Sequence, residues 1–283
     1  MKSSKPIIGC DISEHNYSWI PIPRDFVWDA CTPEQCRVVV LSDHCIKKID
    51  KYSHVPKKVA WMMESPHLWQ YEGLKTVREF ILSNLDKFDR VMTTEMQLVR
   101  GNPQKFVYQN QSIPQVMPYE TKIYEKVKFC SVMVSEKNFR PGHRLRHLIA
   151  GKYKGIVHPL GYAWKPVNRT WEGYADYMFS VVSENCKVDN YFSNQILDPI
   201  ACGTIPIYWG SPSISATFNS KGIIEFDTIE QFEKIISNLS PDDYWLRMDA
   251  VRENLEIVNK WHRLPEYTMW KNVLKELYES TFS

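Results

Sequence analysis

The chain has 283 residues, of which 43% are hydrophobic and 24% charged, and its formal net charge is +2. These values exclude a disordered or fibrous chain and allow two domains of ordinary size. A charge so close to neutral argues against binding nucleic acid through bulk charge, although it is compatible with a local basic groove. No apolar run is long enough to cross a bilayer, and residues 1–15 carry no secretory signal, so a soluble cytoplasmic protein is expected.

The cysteines and histidines do not predict a disulfide framework or a metal site. The seven cysteines are scattered, and the nearest pair, Cys31 and Cys36, has the wrong spacing for a CxxC motif. The eight histidines form no HxH or HExxH arrangement, and no Asp-x-Asp triplet occurs. We therefore expect reduced thiols and no bound metal.

Short apolar strands alternate with amphipathic helices in the first half of the chain. The predicted strands are 36–41, 59–63 and 90–93. A helix over 74–85 is predicted from the apolar residues at three- and four-residue spacing, Leu74, Val77, Ile81 and Leu85. The polar, proline-containing stretch 101–120 is predicted to be the crossing between two domains.

A second alternation follows. The predicted strands are 127–134, 155–158, 179–182, 204–209 and 223–226. The predicted helices are 143–150, 193–201, 229–239, 244–261 and 266–279. Two such alternations predict an α/β protein with two parallel-sheet, Rossmann-like domains facing a cleft. The expected domains are 1–125 on the acceptor side and 126–265 on the donor side, with a C-terminal helix, 266–283, packing back on the first domain.

The segment 177–212 carries most of the information about function. It reads as strand, polar loop, helix, tight turn, strand and polar loop. Glu184 and Asn185 follow a strand at the edge where parallel sheets bind ligands, and the helix beginning near Ser193 directs free N–H groups to that edge. Gly203 permits the turn after the helix. This arrangement suits a diphosphate, although any strand–helix–strand unit has similar geometry.

These residues resemble the donor-binding signature of the α1,3-fucosyltransferases, glycosyltransferase family ten. The matching positions are Phe179, Glu184, Asn185, Asp189, Tyr191, Ser193, Asn194, Gln195, Pro206 and Gly210. Segment 134–148, with an Arg-x-Arg, and segment 59–66, with Glu-Ser-Pro, match further family positions in the same order. The resemblance implies a two-domain B-type glycosyltransferase fold. It also implies inverting transfer of a sugar from a nucleoside diphosphate to an acceptor hydroxyl.

The resemblance also implies roles for single residues. Glu64, at the Glu-Ser-Pro position, is the expected general base, and capping of the following loop is the structural alternative. Arg144, with Arg146 behind it, is expected at the diphosphate; of the two, Arg144 is preferred, and an ordinary solvated basic face is the alternative. The other donor-binding candidates are Glu184, Asn185, Tyr191, Ser193, Asn194, Gln195 and Gly210. Ser193 is also an ordinary N-cap residue.

One departure from the family pattern concerns the donor. The family's Thr-Glu-Lys is replaced by Ser193, Asn194 and Gln195, which removes a carboxylate and an ammonium group beside the expected diphosphate. Three explanations are open. Another cation replaces the lysine, the donor is a UDP-sugar or UDP-pentose instead of GDP-fucose, or activity has been lost. The candidate cations are Lys165, Arg169 and Lys187.

The acceptor side is less specific. Trp61, His67 and Trp69 flank Glu64 and are candidate acceptor contacts, because aromatic rings stack on sugars and bases; core packing is the alternative. The lysines within 47–58 are either a solvated surface or an attraction for a phosphate-bearing acceptor. The expected partners are therefore a nucleotide sugar and either a glycan or a hydroxymethylated base in DNA, and no further cofactor is expected. A non-catalytic carbohydrate- or nucleic-acid-binding module is the alternative from another class.

Overall fold

The computed structural model describes residues 5–11, 24–71, 73–110 and 112–282. Residues 1–4 and 12–15 of the segment searched for a secretory signal lie outside this part. Across the described ranges, every helix is too short or too polar to traverse a bilayer. The chain forms two compact units, an N-terminal unit of Met1–Gln111 with Arg263–Ser283 and a C-terminal unit of Ser112–His262. The boundaries proposed from the sequence are 125/126 and 265/266.

The N-terminal unit contains a six-stranded parallel sheet. Its strands are β1 (Ile7–Asp11), β2 (Val27–Asp29), β3 (Val38–Ser42), β4 (Lys57–Trp61), β5 (Arg90–Thr93) and β6 (Phe106–Tyr108). Their spatial order is β2-β1-β3-β4-β5-β6. The α-helices of the same stretch are α1 (Pro66–Tyr71), α2 (Lys75–Ser83) and α3 (Met96–Gly101), and a 3-10 helix covers Asp43–Tyr52. The predicted strands and helix are confirmed to within a few residues, whereas β6 lies inside the stretch predicted to be a crossing.

The C-terminal unit contains a five-stranded parallel sheet. Its strands are β7 (Lys128–Met133), β8 (Val157–Leu160), β9 (Tyr177–Ser183), β10 (Ile205–Trp209) and β11 (Ile224–Glu225). Their spatial order is β11-β10-β9-β7-β8. The helices are α4 (Pro141–Lys152), α5 (Asn194–Ala201), α6 (Ile229–Asn238), α7 (Pro241–Trp245) and α8 (Met248–Trp261). The α/β class with two parallel sheets is therefore confirmed.

The end of the chain belongs to the N-terminal unit. It consists of α9 (Leu264–Met269), a π-helical turn (Trp270–Leu274) and α10 (Lys275–Glu279). Val38, Val40 and Trp61 on one sheet face share a core with apolar residues of this segment, while Val39 and Leu41 on the other face pack in a second core. Burial of both faces explains why these strands read as continuous apolar runs instead of alternating ones.

Lys126 is a buried lysine whose side chain ties the loops of the C-terminal unit together. Its Nζ donates hydrogen bonds to Ala175 O at 2.8 Å, Cys202 O at 2.8 Å and Thr204 Oγ1 at 2.9 Å. Burial lowers the pKa of Lys126 from its ordinary 10.5 to about 7. Three buried acceptors therefore depend on one side chain, since an unpaired buried polar group is costly.

We expect Lys126→Met to lower the free energy of unfolding by about 3 kcal/mol, because it leaves these three acceptors without their donor. Lys128→Met is the matched control, since Lys128 forms an exposed ion pair with Asp176 that contributes little. Below pH 10.5 the unfolded chain binds a proton at Lys126 that the folded protein binds only below about pH 7. The stability of the wild type relative to Lys126→Met should therefore increase from pH 7 to pH 10. Urea unfolding of the wild type and both variants between pH 7 and pH 10 measures these free energies. Equal losses of unfolding free energy in the two variants would contradict the structural role of Lys126.

Candidate functional site

Two helices of the C-terminal unit begin where the strand order reverses. β7 lies between β8 and β9, so the chain moves to one side of β7 and then returns to the other. Ligands of open parallel sheets bind outside the carboxyl ends of the strands at such a switch point. α4 begins at Pro141 after β7, and α5 begins at Asn194 after β9. Helix N-termini carry unpaired N–H groups and partial positive charge, so this point favours an anion.

Gly142 allows the first turn of α4 to lie directly against the end of β9. Its carbonyl accepts a hydrogen bond from Ser183 Oγ at 2.7 Å, and its N–H faces Asn185 O at 3.4 Å. A Cβ atom at this position would lie 1.7 Å from Glu184 O. Only glycine fits such an approach, so residue 142 fixes the distance between α4 and β9.

Glu184 is a fully buried carboxylate that organises the start of α5. It accepts hydrogen bonds from Ser193 N at 3.0 Å and Ser193 Oγ at 2.5 Å. Ser193 in turn caps the helix, because its Oγ accepts from Gln195 N. Burial raises the pKa of Glu184 to about 7, although the Ser193 hydrogen bonds and the charge of Arg146 lower it. The N-cap reading of Ser193 is thus what the structure shows, with Glu184 holding the cap in place.

Arg146 brings a buried positive charge to the same point. Its Nη1 donates to Gln195 Oε1 at 2.7 Å, and burial lowers its pKa. A neutral glutamine is therefore the acceptor for a guanidinium group at the position where the resembling family has lysine. A lysine at 195 would place a second cation beside Arg146.

The other candidates in this unit are distributed unevenly. Arg144 is exposed and donates to Phe139 O, so the structure joins Arg146 and not Arg144 to the Glu184 network. Asn194 donates to Asp198 Oδ2 one turn along α5. Gly210 lies over Glu184, since a Cβ there would be 2.7 Å from Glu184 Cγ. Tyr191, which lies between Glu184 and Ser193 in the sequence, is buried.

His143, which the sequence reasoning did not select, also lies at this point. Its ring contacts the side chain of Asn185 through a hydrogen bond, and burial together with Arg146 lowers its pKa to about 4. Its Nδ1 is buried and, among the described residues, has no hydrogen-bond partner. A neutral imidazole at the start of α4 can therefore offer one polar atom to a ligand.

The three cations proposed as replacements for the family lysine differ in their partners. Arg169 is bound to Glu120 and to Tyr119 Oη, and Lys187 is paired with Asp227. For Lys165, no ion pair or side-chain hydrogen bond occurs within the described ranges.

A cavity of about 640 Å³ opens at the carboxyl end of β10. Its lining includes Gly210, the Lys187–Asp227 ion pair and three further charged or polar side chains, namely Lys234, Glu225 and Gln231. Its volume is within the range of small-molecule sites. Gly210 both lines this cavity and packs against Glu184, so the cavity lies next to the Glu184 network.

The acceptor-side candidates all lie in the N-terminal unit. Glu64 is exposed in the loop between β4 and α1, and its backbone carbonyl accepts from Trp69 Nε1 at 3.1 Å. Trp61 and Trp69 are buried in the core, where neither ring offers a face to a ligand, so the packing alternative is the one that the structure supports. His67 is half-buried in the first turn of α1.

No metal-binding cluster is evident in the described part of the chain, where no three His, Cys, Asp or Glu residues are suitably grouped. All seven cysteines are free, and five of them are buried. Burial raises the pKa of Cys10 to about 12, which keeps that thiol protonated at neutral pH.

Comparisons with known proteins place the chain among fucosyltransferase-like sequences. It is 36% identical over 81 residues to the α-(1,3)-fucosyltransferase FucT of Helicobacter pylori, covering 29% of this chain and 16% of the relative. It is 27% identical over 172 residues to the putative fucosyltransferase R654 of Acanthamoeba polyphaga mimivirus, covering 48% and 28%. The matches thus span well under a third of each curated relative. No family model matches the chain.

Solved structures agree on the fold. An α1,3-fucosyltransferase with GDP aligns with a TM-score of 0.56 at 15% identity, covering 93% of this chain and 92% of that one. An α-glucosyltransferase in complex with UDP-glucose and DNA containing an abasic site aligns with a TM-score of 0.53 at 13% identity, covering 89% and 85%. Both the resemblance predicted from the sequence and the B-type glycosyltransferase fold are therefore confirmed.

Proposed function

We propose that this chain is a glycosyltransferase that moves a sugar, with inversion, from a nucleoside diphosphate to an acceptor hydroxyl. The observation that carries the proposal is the meeting of two helix N-termini with the buried Arg146 at the switch point of the C-terminal sheet. One curated relative is an α-(1,3)-fucosyltransferase, the other is named a putative fucosyltransferase, and one solved neighbour contains GDP. The geometry and the relatives therefore support the same class of ligand.

In this proposal the diphosphate lies between the starts of α4 and α5. Arg146 and the first-turn N–H groups hold its oxygens and stabilise the charge that develops as it leaves. Glu184 keeps Ser193 and the start of α5 in position through two hydrogen bonds, which preorganises these donors. The sugar extends towards Gly210 and the cavity beside it.

The transfer step needs a proton acceptor. The acceptor hydroxyl oxygen attacks the anomeric carbon, the bond from that carbon to the diphosphate oxygen breaks, and the nucleoside diphosphate departs with the electron pair. Glu64 takes the hydroxyl proton in this scheme. Attack opposite the leaving group inverts the configuration at the anomeric carbon.

The donor is GDP-linked or UDP-linked, and binding distinguishes the two. We expect calorimetric titration to detect GDP or UDP, with inorganic pyrophosphate binding more weakly than either. A preference for GDP supports a fucose-type donor, and a preference for UDP means that the changes at Asn194 and Gln195 accompany a changed donor. Binding of neither nucleotide overturns the proposal and favours a non-catalytic binding module.

Turnover is then measured as nucleoside diphosphate release from GDP-fucose and UDP-glucose, first without acceptor and then with glycans or hydroxymethylated DNA. Stimulation by one acceptor class supports group transfer and identifies the acceptor. Release at the same rate with and without acceptor would show a hydrolase instead.

A further inference from the structure

The loop that follows β8 is closed and pinned to the neighbouring strand. Gly161 N donates to Lys165 O at 2.8 Å, and Trp164 N donates to Gly161 O at 2.9 Å. Ala163 N donates to Val134 O at 3.2 Å, which fixes the loop to the end of β7. Gly161 has φ +95, and a Cβ there would lie 2.5 Å from Val134 O, so glycine is required at this position. The backbone of 161–165 is therefore held in one conformation.

This fixed loop presents two large aromatic side chains to solvent. Tyr162 is 76% exposed and Trp164 is 43% exposed. Aromatic rings of this size usually bury most of their surface in the core, as other tryptophans of this chain do. An exposed pair on a rigid loop at the carboxyl edge of the sheet is therefore available to stack on a ligand with a flat face.

The surroundings of this pair are positively charged. Lys165 belongs to the same loop, and Lys137 and Arg144 are exposed on the adjacent β7–α4 connection and the first half of α4. Glu136 is the opposing charge on that connection. Exposed rings interleaved with cations are the combination that binds nucleotides, because rings stack on bases while the cations pair with phosphates.

The order of the strands sets how far this loop lies from the proposed diphosphate and sugar positions. β8 is two strands from β9 and three from β10, which corresponds to roughly 10 and 14 Å along the edge of the sheet. With the diphosphate between α4 and α5 and the sugar beside Gly210, the opposite end of the donor extends towards β8. A ribose spans the interval, so the group that reaches the loop is the base.

We propose that Tyr162 and Trp164 form a stacking platform for the nucleobase of the donor and that Lys165 reaches its phosphate chain. The inference rests on the proposed function and assigns it a base subsite. Because stacking does not depend on hydrogen-bonding edges, the platform accepts guanine and uracil alike. Base preference then comes from groups other than these two rings.

The test compares four ligands by calorimetric titration: GDP, UDP, inorganic pyrophosphate and a single-stranded DNA oligonucleotide. We expect the double variant Tyr162→Ala, Trp164→Ala to weaken GDP and UDP about tenfold or more and to leave pyrophosphate unchanged. The variant Tyr162→Phe, Trp164→Phe should retain most of the affinity, because the rings remain. Trp245→Ala is the matched control, since Trp245 is 56% exposed on α7 of the same unit. Thermal unfolding verifies that each variant is folded.

The outcomes separate this inference from the proposed function. Nucleotide binding by the wild type with unchanged affinity in the alanine double variant overturns the platform and leaves the donor site standing. Equal weakening of pyrophosphate and nucleotides also overturns it, because the rings would then not act through the base. A loss of affinity confined to a single-stranded DNA oligonucleotide would assign the rings to a nucleic acid and overturn the base subsite. Binding of no nucleotide by the wild type overturns both proposals.

Discussion

Replacing Glu64 by glutamine is expected to lower turnover by about 100-fold to 10,000-fold, the range that a general base contributes. Glutamine keeps the size of the side chain but cannot accept the hydroxyl proton. The affinity for GDP or UDP should stay within about threefold of the wild type, because the proposed donor contacts all lie in the C-terminal unit. The measurement is nucleoside diphosphate release under saturating donor, together with calorimetry of the same preparation.

The surroundings of Glu64 favour a chemical role over a structural one. Its carboxylate is exposed and, within the described residues, accepts no hydrogen bond, so it does not cap the loop before α1. Glu95 also follows a strand of this sheet closely, but it is buried in a bidentate pair with Arg78 and is also bound by Gln70. Its oxygens are occupied by these donors, so it is not free to contact an acceptor hydroxyl.

Glu79→Gln is the control for this experiment, since Glu79 is an exposed carboxylate on α2 of the same unit. It should leave turnover unchanged. Turnover of Glu64→Gln within about fivefold of the wild type would remove Glu64 from the mechanism. A parallel loss of nucleotide affinity would instead show that the substitution disturbs the protein more widely.

The elements around the donor segment could be predicted because their sequence signals are local. Apolar runs predicted β7, β9 and β10, and Ser193 before an apolar helix predicted the N-cap of α5. The structure confirms these elements. β1, β2 and β6 were not predicted. Of these, β2 and β6 each have only three residues and lack a long apolar run. Their strand character comes from pairing with β1 and β5, which is a tertiary effect.

The arrangement within the candidate site was less predictable. Which of Arg144 and Arg146 lies at the candidate site depends on the side of α4 that faces β9. The helix is only weakly amphipathic, so its sequence does not reveal that side. Gly142 lets α4 approach β9 and His143 is buried beside it, yet neither residue has a distinctive spacing in the sequence. The exposed pair Tyr162 and Trp164 gave no signal either, because exposure is set by the closed loop and not by composition.

The second large effect is expected at Arg146. Arg146→Met should lower the affinity for GDP or UDP by about 100-fold, because the proposed diphosphate site loses its buried guanidinium group. The expected effect is large because hydrogen bonds to charged groups are among the strongest in proteins. Methionine fills a similar volume and relieves the buried charge, so the fold should persist. Arg144→Met is the matched control on the same helix, since Arg144 is exposed and bonds only to a backbone carbonyl in the described structure. It should change nucleotide affinity by less than about fivefold.

Position 195 provides an independent check of the same argument. Gln195→Lys restores the residue of the resembling family, but here it places an ammonium group beside Arg146, so we expect lower stability and no gain in affinity. In the double variant Arg146→Met, Gln195→Lys the lysine replaces the lost charge and should recover part of the nucleotide affinity. Failure of that recovery, or a larger loss in Arg144→Met than in Arg146→Met, would return the diphosphate contact to Arg144. Recovery would mean that a cation at either 146 or 195 can hold the diphosphate.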